Sequence, residues 1–127
     1  MNADYGTSKS AVQYGLLQSL QQDAPRVYPG ARVNAVAPGA VNTARFKHEC
    51  KADPSQFYAD AVATTSLARP VEPEDVARTI LFLASEKYSR GIHGQILNVD
   101  SGKFGKLVNP PSNATSGVEA SVGAEES

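Results

Sequence analysis

The chain has 127 residues, enough for one ordinary domain. With 41% hydrophobic residues and a formal net charge of −1, it reads as a soluble globular protein and gives no electrostatic case for nucleic acid or an anionic membrane surface. Cys50 is the single cysteine, which excludes an intrachain disulfide and fits a reducing compartment. There is no basic segment followed by an apolar run at the N-terminus and no stretch near the roughly 18–20 apolar residues of a membrane span, so the expected location is cytoplasmic.

The first predicted helix runs from Asp4 to about Asp23, because Ala11, Val12, Gly15, Leu16 and Leu20 recur at helical spacing. Asn2 or Asp4 supplies an N-cap oxygen, Pro25 is expected to end the helix near Gln22 to Asp23, and Gly15 reads as a close packing point. Pro29-Gly30 marks a turn, and Arg32 to Ala37 is a predicted strand, short and of small or β-branched residues, as suits a strand covered on both faces. Pro38-Gly39 stops it. Ala44 to Lys51 and Pro54 to Leu67 are each expected to form a short helix.

Pro70-Val71-Glu72-Pro73 breaks the chain, and Pro73 suits a first helical position. The next predicted helix, Glu74 to about Glu86, carries an apolar stripe of Val76, Ala77, Ile80, Leu81, Leu83 and Ala84, with acids at its start and bases just past its end. Gln95 to Val99 is the second predicted strand, running into the turn Asp100-Ser101-Gly102. Beyond Leu107 the composition turns polar and poor in aromatics, so residues 108–127 are expected to be a disordered tail and 1–107 the folded part.

Two places carry chemistry. Tyr5 and Lys9 stand four residues apart, one helical turn, so both side chains fall on one face. A positive charge beside a phenol favours the phenolate, which suits a group that gives and takes a proton. The spacing alone is equally met by an aromatic packed beside a solvated lysine. Pro38-Gly39-Ala40-Val41-Asn42-Thr43 follows a strand, where parallel α/β sheets bind ligands. Gly39 lets backbone approach a flat ring or a phosphate, and the Thr43 hydroxyl can donate to a phosphate oxygen. The same loop also reads as a plain turn with a helix N-cap threonine. His48 and His93 read as surface histidines, and no metal site is indicated.

Together these pieces resemble the short-chain dehydrogenase/reductase family. Tyr5-x-x-x-Lys9, Arg32-Val33-Asn34-Ala35-Val36-Ala37-Pro38-Gly39-x-Val41-x-Thr43, Arg69-Pro70-x-Glu72-Pro73-Glu74-Asp75-Val76-Ala77 and Gly94-Gln95-x-Leu97-x-Val99-Asp100-Ser101-Gly102 occur in the family's order over roughly residues 4–104. The resemblance implies an α/β fold, the C-terminal half of a Rossmann-like doubly wound parallel sheet, incomplete here, with a right-handed crossover and an open edge on the first strand. It implies an NAD(P)-dependent oxidoreductase moving hydride between nicotinamide and a small-molecule alcohol or carbonyl. Tyr5 would be the general acid/base. Lys9 would favour its phenolate and hydrogen-bond the nicotinamide ribose. Pro38, Gly39 and Val41 would lie beside the nicotinamide, and Thr43 would contact the carboxamide or phosphate. Ala44 to Leu67 would be the lid over the substrate.

The cofactor would be NAD or NADP, since the segment that distinguishes them has no counterpart in this chain. The family's Gly-rich phosphate turn, catalytic serine and helical asparagine also have none, only four residues preceding Tyr5, so residues 1–127 by themselves are expected to turn over little. The complete protein is expected to be a homo-oligomer that binds neither nucleic acid nor membrane. The alternative is a non-catalytic fragment that binds a full-length relative through its helices and last strand.

Overall fold

The computed structural model describes residues 3–111 and divides them into two compact units. The first holds the described residues up to Ala37 together with Ala77–Asn98, and the second Pro38–Val76 together with the described residues from Val99.

The first unit opens with a long helical run: α1 (Ala3–Ser10), a π-helical stretch (Ala11–Leu16) and α2 (Leu17–Val27). Asp4 sits in the first turn, not at the cap; Asn2 lies outside the described residues. The apolar stripe of this run is largely uncovered. Leu17 is buried, whereas Val12, Tyr14, Leu16 and Leu20 are exposed. A Cβ added at Gly15 would meet nothing within 4 Å, so the expected packing point has no neighbour in this chain.

Pro25 does not end the helix as expected; it lies inside α2, which continues to Val27. A proline has no N–H to give the carbonyl four residues back, here Gln21, and such a break ordinarily costs ~3 kcal/mol or more. His93 supplies the missing partner. Its Nδ1 accepts from the Val33 backbone N–H at 3.1 Å, which places the ring proton on Nε2, 2.8 Å from the Gln21 carbonyl oxygen. His93 is thus a half-buried joint between α2 and the residues leading into the first strand, not the surface histidine expected.

The same region shortens that strand. Arg32 Nη1 donates to the Ser89 carbonyl (2.8 Å), the Ser89 hydroxyl (3.2 Å) and the Ile92 carbonyl (3.2 Å). Asn34 donates to the Ile92 carbonyl and accepts from Gln95 N–H. Residues 32–34 therefore spend their donors on side-chain bonds to the 89–95 segment, and the ladder begins only at β1 (Ala35–Pro38), paired with β2 (Ile96–Val99). The strands run parallel: Ala35 N–H bonds the Gln95 carbonyl and Gly39 N–H the Val99 carbonyl.

α5 (Pro73–Ala84) starts at the proline as expected and stops two residues early. Ser85 turns extended (ψ 119°), and its hydroxyl accepts from Tyr88 N–H to cap a short α6 (Glu86–Ser89). No described helix is long and apolar enough to cross a membrane.

In the second unit, α3 (Ala44–Ala52) and α4 (Pro54–Phe57) match two expected helices, and the Phe46 and Phe57 rings lie 6.2 Å apart. The chain continues as a π-helical stretch (Tyr58–Val62) and then leaves the helix before the expected end at Leu67. The cause is a pairing with the segment after β2. Ser66 N–H bonds the Gly102 carbonyl, Phe104 N–H bonds the Thr64 carbonyl, and Thr65 bridges Lys103 antiparallel.

Asn109 closes this unit. Its side-chain amide donates to the Val62 (2.9 Å) and Thr65 (2.8 Å) carbonyls, its backbone N–H to Ala63, and its own carbonyl accepts from the Tyr58 hydroxyl at 2.7 Å. Val108 and Asn109, assigned to the tail from sequence, are held here; residues 112–127 of that expected tail lie outside the described residues. Asn109→Ala strips two carbonyls of the buried 61–65 stretch of their donors, and each unmade bond of this kind costs about 1–3 kcal/mol. We predict a denaturation midpoint clearly below wild type; an unchanged midpoint would show that Asn109 does not hold the unit.

Candidate functional site

Tyr5 and Lys9 both project from α1, as the one-turn spacing requires. The Lys9 ammonium lies 5.4 Å from the centroid of the Tyr5 ring, within cation–π range. Tyr5 is 62% exposed, so its hydroxyl is open to solvent or to a ligand. Ser8 donates its hydroxyl proton to the Tyr5 backbone carbonyl at 2.8 Å, a local helix bond that leaves the phenol untouched. Clefts of about 450 and 380 Å³ in this unit are lined by residues such as Arg32, Glu86 and Arg90, or Asn34, Val36 and Ile80, and not by Tyr5 or Lys9.

The second group of site residues, Pro38, Gly39, Val41 and Thr43, belongs to the second unit and forms one continuous loop at the carboxyl end of β1. The loop is pinned by three backbone bonds. Gly39 N–H bonds the Val99 carbonyl (2.9 Å), Val71 N–H bonds the Ala40 carbonyl (2.8 Å), and Asn42 N–H bonds the Val71 carbonyl (2.8 Å). This is a parallel bridge between Val41 and Val71. In such a bridge the flanking residues bond the partner, while the N–H and C=O of the bridging residue point the other way. The Val41 carbonyl accepts from Thr43 N–H at 2.7 Å, closing a three-residue turn centred on Asn42. Among the described residues Val41 N–H has no backbone acceptor.

Thr43 is the N-cap of α3, the plainer of the two roles its sequence allowed. Its Oγ1 accepts from Phe46 N–H at 3.2 Å. A hydroxyl that accepts keeps its own proton to donate. The loop therefore presents two donors two residues apart, the Val41 amide and the Thr43 hydroxyl, to whatever carbonyl or phosphate oxygen meets it. Gly39 also meets a close neighbour within the chain itself. A Cβ there would lie 2.9 Å from Asp100 Cα and 3.0 Å from its Cβ, so the chain's own backbone fills that side.

Three anchors escaped the sequence reading: Asn42, Glu72 and Asp100. Asn42 Nδ2 donates to both Glu72 carboxylate oxygens, at 3.0 and 3.3 Å. Asp100 Oδ1 accepts from the N–H groups of Gly102 and Lys103, fixing the turn after β2. The available signal is weak: Asn42 stands between two named site positions, and Glu72 and Asp100 enter as members of longer motifs with no partner indicated. Among the described residues no group of three His, Cys, Asp or Glu side chains can hold a metal ion. Partial burial and the nearby Asp60, Glu49 and Asp53 push the Cys50 thiol pKa up, away from the reactive thiolate.

Gly39→Ala inserts a methyl against backbone that cannot swing aside, so the loop or Asp100 must move, at a typical cost of about 1–3 kcal/mol. We predict a lowered unfolding midpoint, with amide resonance shifts at Asp100 and Val99. Unperturbed resonances would show that the close approach is not real.

Residues 1–103 match the sequence profile of a family described as enoyl-(acyl carrier protein) reductase. The chain is 42% identical over 96 residues to a 3alpha-hydroxysteroid dehydrogenase of Mediterraneibacter gnavus, covering 76% of this chain and 35% of that protein. The crystal structure of a hydroxysteroid dehydrogenase from Escherichia coli superposes with a TM-score of 0.65 at 31% identity, covering 79% of this chain and 39% of the other. A 3-alpha-hydroxysteroid dehydrogenase from Pseudomonas sp. B-0831, solved in complex with NADH, gives 0.52 at 34% identity, covering 70% and 35%. This chain spans between 35% and 41% of the length of the first curated relatives it matches.

Proposed function

The chain belongs to the short-chain dehydrogenase/reductase family and carries a partial Rossmann fold, and from that premise we propose that it contributes the proton-transfer pair and the nicotinamide loop of an NAD(P)-dependent oxidoreductase acting on an alcohol or carbonyl. The observation that carries this reading is the Tyr5–Lys9 pair, side by side on α1 with the phenol open.

In this reading Tyr5 holds a proton at its hydroxyl oxygen. It gives that proton to the carbonyl oxygen of the substrate during reduction, or takes the hydroxyl proton during oxidation. Lys9 keeps its ammonium against the ring and would offer its donors to the cofactor ribose. Val41 N–H and the Thr43 hydroxyl are the donors that would hold the nicotinamide carboxamide, and Pro38 and Gly39 would border the ring. Both donors would meet the carboxamide oxygen, which has two lone pairs, one from a fixed backbone group and the other from a rotatable hydroxyl. Bound nicotinamide supplies or accepts the hydride. Ala44–Leu67, anchored at its end by Lys103 and Asn109, would cover the substrate and exclude water. NAD and NADP both remain open as cofactor. The substrate would be a small alcohol or carbonyl compound.

The exposed apolar residues Val12, Tyr14, Leu16, Ile80 and Leu81 support a homo-oligomer of the complete protein. They equally favour the second reading, a non-catalytic chain that binds a full-length relative through these helices.

Replacing Tyr5 by Phe, in the longest natural form of the protein, keeps the ring beside Lys9 and removes only the proton. We predict turnover lost by a factor of roughly 10² or more with NADH or NADPH still bound. Lys9→Ala should weaken cofactor binding as well as turnover. A Tyr5→Phe enzyme that keeps most of its activity would remove Tyr5 from the proton-transfer role and favour the second reading.

A further inference from the structure

Asn42 falls at an unassigned position between Val41 and Thr43, and it is anchored through both its backbone and its side chain. Its backbone N–H bonds the Val71 carbonyl at 2.8 Å, and the three-residue turn that brings Thr43 N–H onto the Val41 carbonyl is centred on it. Its side-chain amide reaches both oxygens of Glu72. A carboxylate can only accept, so the amide nitrogen must be the atom that faces it, which fixes the orientation of the amide group. Bonds of this kind to a charged group are roughly twice as strong as neutral ones. Glu72 is itself held: its backbone carbonyl receives Asp75 N–H at 3.0 Å at the start of α5. Asn42 thus ties the turn to a helix start within the same unit.

The consequence falls on the neighbours. Val41 and Thr43 flank the tethered residue, and the Val41 N–H points away from its bridge partner Val71. If residue 42 slips, the Val41 N–H rotates and the Thr43 hydroxyl shifts with its cap. We infer that Asn42, through its hydrogen bonds to the Glu72 carboxylate, is a positioning residue that sets the aim of the Val41 amide and the Thr43 hydroxyl toward the nicotinamide carboxamide. This rests on the reading that the loop holds the cofactor. Asn42 itself touches no reacting atom. The role is specific to a donor facing an acceptor, so exchanging the two partners preserves it.

The test uses three variants of the longest natural form of the protein, titrated with NADH and NADPH while the Val41 and Thr43 amide resonances are followed. Asn42→Asp sets one carboxylate against another and should raise the cofactor KM roughly tenfold, by a larger factor than it lowers kcat. Glu72→Gln retains an acceptor oxygen in a weaker, neutral bond and should raise the KM less than Asn42→Asp does. The double variant Asn42→Asp with Glu72→Gln restores the bond with donor and acceptor exchanged, and should return the KM to within about threefold of wild type. Slowed amide exchange at Asn42 and Val71 in each variant reports whether the loop is still formed. Rescue by the double variant supports the inference. A wild-type response at Val41 with Asn42→Asp binding as tightly, or a double variant no better than Asn42→Asp, overturns it. Wild-type Val41 and Thr43 amides that ignore saturating NADH and NADPH overturn the cofactor reading, and the inference with it.

Discussion

Val71 is the point on which the loop geometry depends. Its N–H and C=O clasp the residues either side of Val41, and with Gly39 bonded to Val99 they leave the loop one way to lie. An isolated loop of six residues would have many conformations, each fixed residue costing roughly 1–2 kcal/mol of backbone entropy. Three backbone bonds remove that freedom before any ligand arrives. They also decide which groups are left over, because a parallel bridge turns the N–H of its central residue away from the partner. That Val41 N–H has no backbone acceptor among the described residues is therefore a product of strand pairing. Val71 is itself buried, so the clasp is shielded from competing water.

The first unit solves a different problem. Its helical run contains a proline where a donor is required, and its first strand begins late because Arg32, Val33 and Asn34 bond elsewhere. His93 answers both, meeting the carbonyl that Pro25 leaves open and the N–H that Val33 does not give to the ladder. Gly94 beside it is at φ +69° and faces the Gln21 side chain so closely that a Cβ would overlap it. A histidine next to a glycine is thus the sequence trace of a helix that runs through its proline. The apolar stripe of the same helical run stays bare, with Tyr14 68% exposed, and so does Leu81 of α5, at 69%. Surface of this kind is costly unless another surface covers it.

The elements with strong local signals were legible. Pro73 with its following acids and stripe gave α5, and the Pro38-Gly39 stop gave the end of β1. The Tyr5/Lys9 juxtaposition followed from helical spacing alone. Boundaries that depend on distant partners were not. Pro25 looked like a stop because its compensation lies 68 residues away at His93, counting along the numbering of the chain. The end of the Pro54 helix is set by residues 101–104, and the order of Asn109 by carbonyls near Val62, neither of which periodicity can reveal. Gly39 was rightly singled out for close approach, but the approaching backbone is that of Asp100. Asn42 was invisible because its value lies in Glu72, thirty positions on.

The central claim is that this chain supplies both the proton donor and the nicotinamide contacts of an oxidoreductase. A crystal structure of the longest natural form of the protein with NADH or NADPH bound tests it most directly. The account predicts the carboxamide within hydrogen-bond distance of the Val41 N–H and the Thr43 hydroxyl, with the Lys9 ammonium on the nicotinamide ribose and the Tyr5 hydroxyl facing the hydride-bearing carbon. A nicotinamide ring bound away from residues 38–43, or a Tyr5 hydroxyl turned from the ring, would contradict it.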